Sequence, residues 1–162
     1  MSKLSYILRV IALSILFGGS STIIFAAITL VKAAEAKGVP AAQAAAANVP
    51  IFFGFSTIAL VCAIILLAAE SMDFAKRKQA GAMTKARWAT SLLSVAATMV
   101  LAFGIIPPMK ELIPMMKDNE QAHADFKKLH EASRGVFSAI ILFALASLIL
   151  PAFDSKRENN PS

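Results

Sequence analysis

The chain has little charge, almost no cysteine and few of the residues that build soluble catalytic sites. Only 16% of its 162 residues are Asp, Glu, Lys or Arg, against about a quarter in an ordinary soluble domain. The single cysteine, Cys62, excludes an internal disulfide and reads as a small packing residue within an apolar stretch. There are two histidines, His123 and His130. No Gly-rich phosphate loop, nucleophile elbow or paired-metal motif occurs. Serines and threonines lack a histidine and an acid partner at a shared depth. The chain is therefore read as non-enzymatic, and no cofactor is assigned to it.

Apolar sequence is what the chain has in excess. It is 57% hydrophobic, with a mean hydropathy of +0.68. The excess is gathered in four runs, residues 10–31, 51–69, 88–106 and 135–153, none with an acid or base in its interior. Each has about the 20 residues that a helix needs to cross roughly 30 Å of hydrocarbon. Core helices of soluble proteins seldom run so long without a polar face. The expectation is an all-α integral membrane four-helix bundle forming one domain over residues 1–162. Lys3 and Arg9 with Ala34-Glu35-Ala36 outline a cleavable signal, but the apolar run of 22 residues exceeds the 7–15 of a signal core. A retained signal-anchor helix is expected instead.

Local composition adds detail to the runs. Gly18, Gly19, Ser20, Ser21 and Thr22 place small side chains mid-way along the first, a notch for close helix packing or binding. Gly38, Pro40, Asn48 and Pro50 punctuate the next segment around the Ala-rich stretch 41–47, which predicts a short interfacial helix. Pro50 suits the first turn of the second span, and Phe52, Phe53 and Phe55 suit packing at the membrane boundary. Trp88 opens the third span at headgroup depth. Pro107-Pro108, followed by Pro114, predicts a bent exit from that span. Met109, Met115 and Met116 beyond the break are read as filler, with a thioether metal site as the minor alternative.

Residues 118–134 predict a short interfacial amphipathic helix leading into the fourth span. Ala122, Phe126, Leu129 and Ser133 share one face, and Glu120, Lys127 and Glu131 another. Residues 154–162, beyond Pro151, read as a polar, disordered tail.

The formal net charge of +6 does not imply nucleic acid, because the basic residues flank the apolar runs and no basic-aromatic groove is visible. Flanking Lys and Arg set topology and meet lipid headgroups. Four spans put both termini and the middle loop on one side, with nine basic residues: Lys3, Arg9, Lys76, Arg77, Lys78, Lys85, Arg87, Lys156 and Arg157. The other side holds seven: Lys32, Lys37, Lys110, Lys117, Lys127, Lys128 and Arg134. Both termini are predicted cytoplasmic. Glu70, beside the second run, is expected at the interface near a basic residue of the middle loop, with a proton relay as the alternative.

His123 and His130 are seven residues apart, about 10.5 Å along a helix, too far to share one metal ion at bonds of about 2 Å. They are candidate metal ligands only with help from elsewhere, such as Cys62 or a methionine.

One resemblance is carried by Gly18 to Phe25, by Gly38 with residues 47–53, by Pro107-Pro108, and by Phe126-x-x-Leu129-His130-x-x-Ser133. Over roughly residues 5–153 the chain resembles the transmembrane protein 205-like domain, a four-helix membrane family. It departs from that pattern at Glu131 and Phe137, where the family commonly has Gly and Asn. The resemblance implies no reaction. Eukaryotic members are linked to platinum-drug resistance and vesicle traffic, and a distant similarity to copper-resistance membrane proteins keeps metal or haem binding at His130 in view. It marks His130 and Ser133 as residues to watch.

The leading expectation is a non-catalytic structural or accessory subunit of a membrane complex, or a tolerance factor. Its partners would be lipid and other membrane subunits or further copies of itself. A metal or haem protein using His130 and a small solute transporter are the alternatives.

Overall fold

The structure, a computed structural model, describes residues 3–76, 80–117 and 119–158. Arg77 and Lys78 of the middle loop, Asp118 at the start of the amphipathic segment, and residues 159–162 of the polar tail lie outside them. The described chain is all α-helical, and four of its helices are long and apolar enough to cross a membrane: Lys3–Glu35, Val49–Lys76, Ala82–Met116 and Glu120–Phe153.

The first span is one rod made of α1 (Lys3–Ser14), a π-helical turn over Ile15–Gly19, and α2 (Ser20–Glu35). The wide turn falls on Gly18-Gly19, where small side chains let the backbone loosen. The rod ends in a left-handed Gly38 at φ 82°. There Val39 N–H donates to Ala34 O at 3.1 Å and Gly38 N–H to Glu35 O at 2.9 Å, the paired bonds that glycine permits past a helix end. Pro40 then starts the short α3 (Ala41–Ala47), as the alanines predict. The Asn48 side-chain amide donates to Ala27 O at 3.3 Å, which ties the connection back onto α2.

The second span is α4 (Val49–Lys76), with Pro50 in its first turn. The third does not stop at Pro107-Pro108. It runs as α5 (Ala82–Met99), a π-helical stretch over Val100–Ile105, α6 (Ile106–Leu112) and a 3-10 turn over Ile113–Lys117. Proline removes a helical N–H and pushes its ring toward the carbonyl four residues back. Widening the preceding turn relieves that crowding, so the helix bends and continues. The fourth span, α7 (Glu120–Glu158), absorbs both the amphipathic segment and the start of the expected tail, with Pro151 inside it. Asn119 Oδ1 accepts from Ala122 N–H at 3.1 Å and caps its start.

The helices form a ring in which α1 packs on α4, α4 on α5, α5 along α7, and α7 back on α1. Leu13, Leu16, Leu66, Leu101 and Ile140 are fully buried at its centre. Many other buried positions are polar, among them Ser5, Arg9, Glu70, Asp73, Arg87, Ser91, Ser94, Thr98 and Ser147. Phe25, Phe103 and Leu142 are by contrast more than 60% exposed on the outside. Large apolar groups outside and polar groups within are what hydrocarbon selects, because in lipid each polar group needs an internal partner. The chain is a multi-pass membrane protein.

Candidate functional site

Two features stand out at opposite ends of the bundle. The first is a buried ionic cluster where the second and third spans meet the first and fourth. Glu70 and Asp73 are three residues apart on α4, so they share a face. Arg87, one turn into α5, reaches both: its Nη2 lies 3.0 Å from Glu70 Oε2 and donates to Asp73 Oδ2. Trp88 Nε1–H also reaches Asp73 Oδ2, at 3.4 Å. Ser91, one turn further on, donates to Glu70 Oε1 at 2.8 Å and lies 2.6 Å from Ser147 Oγ on α7. Arg9 of α1 closes the ring by donating from Nη1 to Ser147 O at 3.3 Å. Every span contributes.

This cluster corrects two expectations. Arg9 does not flank the first span as a topology charge; it is 2% exposed inside the bundle. Arg87 does not belong to a loop but to α5. Glu70 does meet a basic residue from that region, Arg87, and is 4% exposed among the helices. The sequence offered one signal, the Glu70–Asp73 spacing beside an apolar run. Nothing in a single chain marks Arg9 and Ser147 as their neighbours, because Ser147 lies 56 residues from Ser91 and 138 from Arg9.

The second feature is a groove of about 460 Å³ at the other end, between α2, α3, α4, α6 and α7. Ile24, Ile28, Phe52, Phe53, Ile106, Met109 and Phe137 give it apolar walls, and Lys32, Glu35, His130, Ser133 and Arg134 line its polar part. Phe137, which stands where the resembled family commonly has Asn, is 2% exposed. Its ring meets Phe52 edge-on at 5.6 Å and stacks on Phe55 at 6.3 Å. It acts in the core.

The expected site residues fall as follows. His123 is exposed, whereas His130 is half-buried and faces the groove. The His130 ring lies parallel to that of Phe126 at 6.4 Å, and Phe126 and Leu129 pack against the core. Ser133 donates from Oγ to His130 O at 2.7 Å, so it meets the backbone rather than the imidazole. Met109 shares the groove with His130. Among the described residues no three His, Cys, Asp or Glu side chains gather as a metal-ligand set. Cys62 is buried and free.

The small-residue notch divides around its helix. Gly19 backs onto Phe55, and a Cβ there would lie 2.7 Å from Phe55 Cε2, whereas one on Gly18 would meet nothing within 4 Å. Ser20 is fully buried with no hydrogen-bond partner for Oγ. Ser21 donates to Phe17 O at 2.7 Å, and Thr22 is exposed.

A family model described as a domain of unknown function, DUF4149, matches residues 11–118, more than half of the chain. The match takes in the notch, most of the first span, the second and third spans and the acid and base of the Glu70–Arg87 pair, and leaves out Arg9 and Ser147. It ends before Phe126, Leu129, His130 and Ser133. No curated protein and no solved structure matches the chain.

Proposed function

We propose, for a chain that belongs to this family of unknown function (DUF4149), a non-catalytic role as an accessory subunit of a membrane complex or a tolerance factor. The observation that carries the proposal is the ionic cluster. Glu70 and Asp73 pair with Arg87, Ser91 bridges Glu70 to Ser147, and Arg9 donates to the Ser147 carbonyl, so the contacts cross all four spans. Arg9 Nε and Glu70 Oε2 have no hydrogen bond among the described residues. Cross-span pairing of this kind suits a clamp that holds helices in one arrangement, because buried charges need partners. A catalytic acid or base, by contrast, needs a face free for substrate. The clamp fixes one end of the bundle and leaves its apolar outer face for contact. The transmembrane protein 205-like resemblance belongs to this reading, as does a cytoplasmic position for both termini.

Purification of the full chain from native membranes in mild detergent tests the proposal. A partner present at fixed stoichiometry is expected, and a chain that is recovered alone would overturn it.

A second reading is favoured by one observation, the shared position of His130 and Met109 on the groove. An imidazole and a thioether are a soft donor pair suited to Cu(I) or haem iron. A Soret band or stoichiometric copper in the same preparation supports this reading, and the lack of both rules it out.

A further inference from the structure

The groove lies at the level where two apolar runs give way to basic residues. Lys32 directly follows the apolar run 10–31, and Arg134 directly precedes the run 135–153. Both line the groove and both are exposed. Neither belongs to a salt bridge among the described residues. A third cation, Lys110, sits nearby with its Nζ 5.0 Å from the centre of the Phe53 ring. Among the described residues Glu35 is the single carboxylate lining the groove, against Lys32 and Arg134, so this lining is net positive.

Below this level the walls turn apolar. Ile24 lies eight residues before Lys32, about 12 Å deeper along the helix, and one leaflet of hydrocarbon is about 15 Å thick. The groove also opens sideways. Ile28 on α2 and Ser138 on α7 line it and are both exposed, so its mouth lies between the first and fourth spans and faces the bilayer. A lipid chain is thin enough to enter a groove of about 460 Å³.

We propose that this groove is a binding site for an anionic phospholipid of the surrounding bilayer, with one acyl chain against Ile24, Phe52 and Phe137 and the phosphate at Lys32 and Arg134. Direction, charge and depth agree: a cationic rim at headgroup level, an apolar trough one leaflet deep, and a lateral opening. His130 sits between the two zones and offers a ring nitrogen to the headgroup. The site stands independently of the accessory-subunit reading, since a lipid can bind whether or not another chain does.

Native mass spectrometry of the purified full chain, offered equal amounts of phosphatidylglycerol and phosphatidylcholine with matched chains, tests the proposal. The native chain is expected to retain the anionic lipid over the neutral one by roughly an order of magnitude. The double variant Lys32→Gln/Arg134→Gln should lose that preference. Ser138→Trp, which narrows the opening without touching a charge, should lower retention of both lipids. Lys76→Gln, exposed at the opposite end of the bundle, should change neither. All four positions are exposed, and a thermal unfolding curve for each variant shows that it folds. Equal retention of the two lipids by the native chain, an unchanged preference in the double variant, or full retention in Ser138→Trp would each overturn the proposal. Recovery of the chain without a protein partner would move none of these readings.

Discussion

Arg87 Nη2 lies 3.0 Å from Glu70 Oε2, and each of these side chains is only 5% exposed. A buried ion pair stabilises little in total, because desolvation offsets most of its attraction, but removing one partner strands the other. Arg87→Met leaves both Glu70 and Asp73 facing an apolar residue. It should lower stability by about 3–5 kcal/mol, read as a drop in Tm or in the midpoint of denaturation in mixed micelles. The triple variant Glu70→Gln/Asp73→Asn/Arg87→Met removes all three charges together and should recover much of that loss. If the single and triple variants unfold alike, the cluster is not an ionic clamp.

Gly18 and Gly19 are chemically equal and structurally opposite. A methyl on Gly19 would press into the Phe55 ring, whose retreat is limited because it stacks on Phe137. Overpacking of this kind costs about 1–3 kcal/mol, so Gly19→Ala should destabilise by that order. Gly18→Ala meets open space and should stay within about 0.5 kcal/mol of the native chain. Phe55→Leu, added to Gly19→Ala, should restore part of the difference. Equal effects at the two glycines would contradict the packing seen here.

The contrast between those glycines shows where sequence reading reached its limit. The four spans were legible because hydrocarbon demands length and apolarity, which a single chain displays directly. Pro50, Gly38 and the alanines of α3 were legible too, since each acts through its own backbone. What a chain does not display is which side of a helix faces inward when both sides are apolar. Hence the five small residues at 18–22 read as one notch, although only Gly19 and Ser20 turn into the bundle. The proline pair predicts a bent exit because its local chemistry opposes a straight helix, but not that the helix continues beyond it. The π-helical stretch over Val100–Ile105, which absorbs the strain, has no sequence signature of comparable strength. Arg9 was legible as a charge and illegible as a contact, because Ser147 lies 138 residues away.

Asn48 is 7% exposed and donates across to Ala27 O at 3.3 Å. That bond holds the connection between the first two spans against α2, and with it one wall of the groove. Asn48→Ala should cost about 1 kcal/mol and should loosen the connection before the bundle as a whole. Limited proteolysis is the suitable reading: faster cleavage within residues 36–48, with the thermal transition lowered only slightly. Unchanged cleavage would mean that the packing of α3 alone fixes this segment.

Burial of Arg9 and Arg87 also bears on orientation. With these two inside the bundle, the nine basic residues counted on the side of the termini become seven, equal to the other side. The proposed cytoplasmic placement then rests on density: Lys76, Arg77, Lys78 and Lys85 fall within ten residues, and short, strongly basic loops are retained in the cytoplasm. Cys62, the sole cysteine, is only 4% exposed, so Cys62→Ala gives a background without thiols at small cost. In that background Lys76→Cys should react with a membrane-impermeant maleimide only after the cells are opened. Lys37→Cys, at the far end of the first span, should react in intact cells. The reverse pattern would turn the bundle over and place the cationic groove in the cytoplasmic leaflet. The headgroups facing Lys32 and Arg134 would then belong to the other monolayer, while the order of spans would stand.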